Sequence, residues 1–394
     1  MESRRAGTKQ HLCVRAGTAA VLLTVLVVRS ALGQGVDEGE VYLRLEYGWQ
    51  MSKVGNYPHV VADRLERGEP VVTGILADAG GVWGGEASSC CIKRYLSGGT
   101  FARAVGSPWL SVSEMPLSGE RLPATYRGAT WAFLTGLQSF ATDTRGFVYA
   151  LVEPHSRVLV FDAEGSPVLS RRDASGFTYE LRGWEKMCYQ LRRSMQVLWP
   201  EVTAVRCSRH DDVFLTIANA PSDDGTARPR IARFNAELDF VGWRDGQYAD
   251  LEGCTYEFST NADGGWLLRR YDDAGALAET LSLPIPDTEK EAPSQVSGKP
   301  KQPGVLLDGR HHTYLLFHEP AAVFERKNMA TTMQRAVRLH EYDGAGVLLR
   351  TLRLPVVAMG VGAPCVTVDP EGTIYYAIYG TLALEVWRIA GSAG

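Results

Sequence analysis

A short phrase that recurs along the chain constrains the fold more than any other feature of the sequence. Its full form, Asp-x-x-Gly-x-x-Tyr, occurs at 143–149, 250–256 and 369–375, and looser copies occur at 78–83, 208–214 and 308–314. A short apolar, β-rich stretch precedes each copy, so each predicts strand, tight turn, strand. In such a turn the Asp carboxylate accepts backbone N–H groups and Gly permits a positive φ. The predicted turn anchors are Asp78, Asp143, Gly146, Asp250, Gly253, Asp308, Asp369 and Gly372.

A second phrase, aromatic-(Asp/Asn)-x-x-Gly, follows each copy of the first. Three good copies begin at Phe161, Tyr271 and Tyr342, and looser ones begin at Tyr95, Phe234 and Trp387. The two phrases together describe a unit of four strands, with one turn after the first strand and another after the third. Successive anchors lie between 42 (208 to 250) and 65 (78 to 143) residues apart. Six such units predict an all-β fold, a six-bladed β-propeller of four-stranded antiparallel blades.

With these two phrases, residues 71 to 391 resemble the six-bladed propellers of the NHL-repeat and related families. Those families carry a similar Asp-x-x-Gly turn followed by Phe-Asp-x-x-Gly. The resemblance implies the architecture and leaves the function open, because such propellers serve many roles. Some similar propellers are calcium-dependent lactonases or metal-dependent lyases, whose ligands converge on the central channel.

The last repeat ends soon after Trp387, so its outermost strand is missing from the carboxyl-terminal end. An open sheet edge needs a partner. The segment 41–47 alternates like a strand and precedes the first repeat, so we expect it to fill that place and close the ring. The predicted organisation is therefore a signal peptide at 1–33, an N-terminal segment at 34–70 that supplies the closing strand, and a propeller at 71–394.

The first 33 residues read as a secretory signal peptide. Basic residues precede an apolar run at 19–28, and Ala31-Leu32-Gly33 follows as a small-x-small cleavage site. The apolar run is too short for a stable membrane span, which needs about 20 residues. The predicted location is therefore periplasmic, cell-surface or extracellular. The whole chain has a net charge of −4, and the basic leader makes the remainder more acidic still, which argues against binding to nucleic acid or an anionic membrane.

Signal cleavage would remove Cys13 and leave an even number of cysteines in a compartment that permits disulfides. Free buried thiols and disulfides are both consistent with this count. Cys188 with Cys207 is the favoured pair if a bridge forms, because only a modest loop separates them. The remaining cysteines are Cys90, Cys91, Cys188, Cys207, Cys254 and Cys365.

The extra length of the chain falls in the connections opposite the recurring turns, which predicts a compact face and a loop-rich face. Binding residues are expected on variable loops held by a rigid scaffold. Apolar residues at helical spacing predict an amphipathic helix over 180–198, either as a cap packed on the propeller or as a partner-binding helix. The predicted binding residues are Trp184, Tyr189, Glu153, His155, His318, Glu319 and Tyr379.

Glu153 and His155 belong to the second repeat, and His318 and Glu319 belong to the fifth, which lies opposite in a six-membered ring. All four side chains could point to one channel mouth and serve in metal ligation or acid–base chemistry. Polar residues at exposed turns are the plain alternative. The seven positions before each anchor contain only two carboxylates, Glu201 and Asp245, a thin supply for calcium.

The sequence thus predicts an exported, non-catalytic propeller that binds a protein, peptide or glycan through its loop-rich face, without a cofactor. The alternative is a lactonase-like, metal-dependent hydrolase or lyase with calcium or zinc at the channel. His311 and His312 lie in a turn of the compact face, away from that mouth.

Overall fold

The computed structural model describes most of the repeated region and the strand before it. It describes the backbone and not the side chains at residues 318, 322–326, 329–336, 355–356 and 379. The described residues are 39–47, 72–78, 80–86, 91–106, 137–152, 156–172, 179–195, 199–222, 226–261, 265–286, 303–318, 322–326, 329–356, 365–379 and 383–392.

The chain forms a six-bladed β-propeller, as the two phrases predict. The first strand, β1 (Glu40–Glu46), belongs to the last blade. Blade I contains β2 (Val72–Asp78), β3 (Gly81–Glu86), β4 (Cys91–Leu96) and β5 (Phe101–Gly106). Blade II contains β6 (Leu137–Thr142), β7 (Val148–Val152) and β8 (Arg157–Phe161). A small ribbon, β9 (Arg171–Arg172) with β10 (Tyr179–Glu180), and helix α1 (Gly183–Met195) follow blade II.

The next three blades are also antiparallel. Blade III contains β11 (Val202–Cys207), β12 (Val213–Pro221), β13 (Ala227–Phe234) and β14 (Phe240–Arg244). Blade IV contains β15 (Tyr248–Ala249), β16 (Thr255–Thr260), β17 (Trp266–Tyr271) and β18 (Leu277–Leu283). Blade V contains β19 (Gly304–Leu307), β20 (Thr313–His318), β21 (Ala322–Arg326), β22 (Met329–Tyr342) and β23 (Leu348–Val356).

Blade VI joins the two ends of the repeated region. It contains β24 (Val366–Val368), β25 (Ile374–Tyr379) and β26 (Ala383–Ile389), and β1 pairs antiparallel with β26 as its outermost strand. Leu43 and Leu45 point inward and are buried against Leu384 and Tyr375. The prediction that an N-terminal strand closes the ring is therefore confirmed.

The hydrophobic core is divided among the interfaces between blades. One cluster joins blades I and II, another joins blades IV and V, and another joins blades V and VI. Each sheet therefore buries both faces against its neighbours, and this explains why strands such as β7 are buried along their whole length. A closed ring also leaves few exposed sheet edges.

All six copies of the first phrase form the turn between the first and second strands of a blade, and the second phrase follows the third strand. Gly146, Gly253 and Gly372 adopt φ between 83° and 88°. In the looser copies, Asp211 and His311 occupy the glycine position at φ of 65° and 64°. The backbone conformation is thus kept where the sequence motif has degenerated. We call the end of the ring that carries these turns the floor.

Helix α1 confirms the helical periodicity and corrects its predicted location. Its inner face carries Met187, Leu191 and Met195, which are buried in the cluster between blades II and III. The helix packs between β8 and β14, on the outer side of the ring. Lys186 donates to the Glu237 carbonyl, in the turn between β13 and β14 of blade III. The helix is therefore a side cap, not part of the loop-rich face. Blade II has three strands, followed by an isolated bridge between Phe161 and Pro167.

The structure also corrects the expected disulfide. Cys188 on α1 and Cys207 at the end of β11 are separate buried thiols, and so the favoured bridge is wrong. Cys91, Cys254 and Cys365 are free as well, whereas Cys13 and Cys90 lie outside the described residues. In the described part of the chain, no helix is both long enough and apolar enough to span a membrane.

Candidate functional site

The main candidate site is the central channel, a cavity of about 1160 Å³. The first strand of every blade contributes to its wall, which confirms that these six strands are innermost in the ring. Uncharged polar side chains supply much of the lining, among them Thr73, Gln138, Ser139, Thr203 and Thr367. A cavity of this size and character accommodates a small ligand or an extended segment of a larger one.

The floor end of the channel is built by the anchor aspartates, which share one hydrogen-bonding pattern. In Asp143, one carboxylate oxygen accepts the Phe147 N–H at 2.8 Å and the other accepts the Tyr149 hydroxyl at 3.2 Å. Asp250, Asp308 and Asp369 repeat this contact with the tyrosine six residues further on. The first phrase therefore specifies a turn carboxylate and the hydroxyl that binds it.

Asp78 in blade I makes an equivalent set of contacts with different partners. It accepts the Gly80 N–H and the Trp83 indole N–H, each at 2.8 Å, and pairs with Arg94. Burial raises the pKa of Asp78, but the contacts with Arg94, Gly80 and Trp83 outweigh it, so the pKa lies below its ordinary value. These contacts use both oxygens of the Asp78 carboxylate, so few acceptor positions remain for a ligand in the channel.

One layer of the channel wall carries a single charged side chain. It is formed by the residue two positions before each anchor, and each of the six lines the cavity. Arg206 of blade III is the charged member, and its neighbour in blade IV is Tyr248. The six residues are Leu76, Ala141, Arg206, Tyr248, Leu306 and Thr367.

Arg206 has no carboxylate partner among the described residues. Its guanidinium donates to the Val205 carbonyl at 3.2 Å. Burial lowers the pKa of Arg206, although an arginine remains protonated at neutral pH. By contrast, Arg94 and Arg145, which also line the cavity, pair with anchor aspartates. Arg103 also lines the cavity and also has no carboxylate ion pair among the described residues, but it donates to two backbone carbonyls, those of Ala163 and Gly146. Arg206 therefore presents a positive charge in the channel wall that no carboxylate of the described residues pairs with, and that charge favours an anionic group.

The two carboxylates expected before the anchors do not converge in the channel. Glu201 is exposed, and its backbone N–H donates to the Asn219 side chain. Asp245 pairs with Arg228 and Arg230. Among the described residues, one group of three metal-ligating side chains comes together, namely Asp250, Cys254 and His311 at the floor.

The four-residue catalytic set remains a prediction. Glu153, His155 and Glu319 lie outside the described residues. His318 ends β20 and Tyr379 ends β25, and for both the structure describes the backbone alone.

The two aromatic residues proposed on the helix occupy different environments. Trp184 packs against the core between blades II and III, so most of its surface serves the cap. Tyr189 is 55% exposed on the outer face of α1. The channel-lining residues do not include either side chain. They remain candidates for a separate contact on the outside of the ring.

We expect the two faces of α1 to respond differently to truncation. Met187→Ala should lower the free energy of unfolding by about 2–5 kcal/mol, because Met187 is fully buried between blades II and III. Tyr189→Ala should change it by less than about 0.5 kcal/mol, because that side chain is exposed. Urea unfolding of the two variants measures the difference. Equal losses would contradict the assignment of α1 as a packed cap.

No protein-family model matches the sequence, and a search of curated proteins finds no relative. Some solved structures match this chain at very low identity and with low TM-scores. A predicted exported protein from Bacteroides fragilis is 10% identical, covers 89% of this chain and 94% of its own, and has a TM-score of 0.39. Streptogramin B lyase is 10% identical over 81% of this chain and 94% of its own, with a TM-score of 0.36.

A calcium-binding protein, regucalcin from Agrobacterium tumefaciens, is also 10% identical. The match covers 90% of this chain and 97% of that one, with a TM-score of 0.37. Likenesses this distant say nothing about activity. Blade order, turn phrases and ring closure together make this chain a six-bladed β-propeller.

Proposed function

We propose that this protein is an exported β-propeller that binds a carboxylate-bearing segment of a protein, peptide or glycan in its central channel, without catalysis. The observation that supports the proposal best is the uncompensated guanidinium of Arg206 in the channel wall. A planar guanidinium can form two parallel hydrogen bonds to a carboxylate.

The rest of the wall favours a ligand that carries hydroxyl or amide groups. Thr73, Gln138, Ser139 and Thr203 offer donors and acceptors and carry no charge. The channel-lining anchors Asp78, Asp143 and Asp250 are hydrogen-bonded to their own turns, so they oppose an anion less than free carboxylates would. A segment entering from the loop-rich face would meet polar groups first and Arg206 near the floor.

Export is the second part of the proposal, and it rests on residues 1–33. If these residues direct export, the mature protein should begin just after Gly33. Sequencing the amino terminus of protein recovered outside the cytoplasm tests this directly. A secreted form that keeps the apolar run at 19–28 would contradict cleavage.

Arg206→Met is the variant that tests the binding proposal. Hexaglutamate and trigalacturonate serve as carboxylate probes, with hexaglutamine and maltotriose as uncharged counterparts of similar size. We expect a carboxylate probe to bind and its affinity to fall in Arg206→Met by about tenfold to a hundredfold, because charge-assisted hydrogen bonds contribute about 1.5–3 kcal/mol. Calorimetric titration measures both affinities.

Arg209→Met is the matched control, because Arg209 also lines the cavity but already pairs with Glu252. It should bind the probes as the original protein does. The proposal is wrong if neither carboxylate probe binds, or if Arg206→Met binds it unchanged. Turnover of a lactone with calcium held in the channel would support the enzyme alternative instead.

A further inference from the structure

Three potential metal ligands meet at the floor between blades IV and V. Asp250 and Cys254 belong to the floor turn of blade IV, and His311 belongs to the floor turn of blade V. One ligand atom from each lies within 4.8 Å of the other two. The Nδ1 atom of His311 is 3.2 Å from a carboxylate oxygen of Asp250. Asp250 also lines the channel, but it belongs to the layer of anchors and not to the layer that contains Arg206.

The repeat pattern shows that this anchor differs from those of blades II and V, whereas Asp369 of blade VI likewise has a glutamate, Glu371, two residues further on. Asp143 and Asp308 each form an ion pair with the arginine two residues further on, Arg145 and Arg310. In blade IV the equivalent position is Glu252, which pairs with Arg209 instead. The buried Asp250 thus has no arginine in its own turn to neutralise it.

His311, from the neighbouring blade V, contacts Asp250 in place of such an arginine. It replaces the usual glycine of the floor turn, adopts a φ of 64°, and places its Nδ1 atom 3.2 Å from a carboxylate oxygen of Asp250. Asp250 is only 3% exposed, and its own turn offers it backbone N–H groups and no cationic side chain. A cation at this point would supply the missing positive charge.

We propose that Asp250, Cys254 and His311 bind one zinc ion that links blades IV and V. The ligands are one carboxylate oxygen, one thiolate and one imidazole nitrogen, all of which zinc accepts, and water supplies the fourth position. The other oxygen of Asp250 is held by the N–H groups of Glu252 and Cys254, each at 2.9 Å, so the turn orients the ligating oxygen.

The geometry is close to that of a tetrahedral site. Zinc–nitrogen bonds of about 2.0 Å and zinc–sulfur bonds of about 2.3 Å place neighbouring ligand atoms about 3.4 Å apart. The 3.2 Å distance between His311 Nδ1 and the Asp250 oxygen already fits this spacing, and all three ligand atoms lie within 4.8 Å of one another. Tyr256 donates to the same Asp250 oxygen at 2.8 Å and would remain as an outer hydrogen bond.

Binding exchanges a proton for the metal. A free cysteine thiol carries its proton at neutral pH, and it is the thiolate that ligates zinc. Zinc forms its bond to sulfur as the S–H bond breaks and the proton passes to water, with no change in oxidation state. Affinity should therefore increase as pH increases.

A cobalt titration of the purified, tag-free protein tests the site, since Co²⁺ occupies zinc sites and reports thiolate ligation by a charge-transfer absorption band. We expect one Co²⁺ per chain, with that band, and its displacement by Zn²⁺. Cys254→Ser should abolish the band. His311→Gly should weaken binding at least about tenfold.

His311→Gly is a sharp variant because it restores the residue that three other blades carry at this position. Its thermal stability without metal should be no lower than that of the original protein. His210→Gln, at an exposed histidine in the floor turn of blade III, is the control and should keep the band. The proposal fails if no thiolate band forms, or if either cluster variant binds Co²⁺ unchanged. Arg206→Met should keep the band, so the two proposals fail separately.

Discussion

Deleting residues 39–47 is expected to open the propeller ring and remove most of its stability. Leu43, Leu45 and Tyr47 of this segment are each no more than 5% exposed, and burying such side chains contributes about 1.5–3 kcal/mol each. The sum approaches the whole stability of many domains, about 5–15 kcal/mol. The deletion also leaves the backbone groups of β26 unpaired at an open edge.

Thermal unfolding and gel filtration of the deleted protein measure this effect. A synthetic peptide of residues 38–48 should restore stability when added in trans, because an open edge strand accepts a matching strand. Leu43→Ala and Val41→Ala provide a matched pair within β1. Leu43 is 2% exposed and should cost about 2–5 kcal/mol, whereas Val41 is 48% exposed and should cost less than about 0.5 kcal/mol. An unchanged melting temperature after deletion would contradict the closure.

The architecture was predictable because each blade repeats a turn whose chemistry is local. An aspartate, a residue with positive φ and an aromatic residue at fixed spacing specify strand, turn and strand within seven residues. Six ordered copies then determine the number of blades. The closing strand was predictable for a related reason, since the last repeat lacks a strand and 41–47 alternates in the required way.

The partner of each anchor was harder to predict. The sequence shows Asp and Tyr six residues apart, and the natural expectation is that the aromatic ring packs in the core. In the structure, the ring does so while its hydroxyl binds the aspartate, as in Tyr314 with Asp308 at 3.0 Å. The signal was present in the spacing, because the two strands that follow and precede the turn bring these side chains together.

The floor cluster could not be found by local spacing, because its ligands come from two blades. Cys254 and His311 are far apart in sequence, and only the order of blades around the ring places them together. The signal available in the sequence was His311 itself, which stands where the full phrase has glycine. Arg206 was not predicted as a site residue either, because a metal site requires carboxylates in the channel-lining strands and an arginine among them gives no such signal.

Replacing one member of a buried ion pair in blade I is expected to cause the second large loss of stability. Lys93 donates to Glu86 at 2.9 Å, and their side chains are 2% and 1% exposed. The pair lies beside Tyr95, which packs in the cluster between blades VI and I. Residue type alone did not reveal it, because lysine and glutamate in strands are usually solvated.

Lys93→Met should lower the free energy of unfolding by about 3–5 kcal/mol, because it removes the ammonium that contacts the buried Glu86 carboxylate at 2.9 Å. Lys93→Met combined with Glu86→Met should recover most of that loss, since an apolar pair of similar volume avoids desolvating two charges. Urea unfolding of the single and double variants measures the coupling between the two residues. A single variant as stable as the original, or a double variant no better than the single, would show that this pair is not a buried, charged contact.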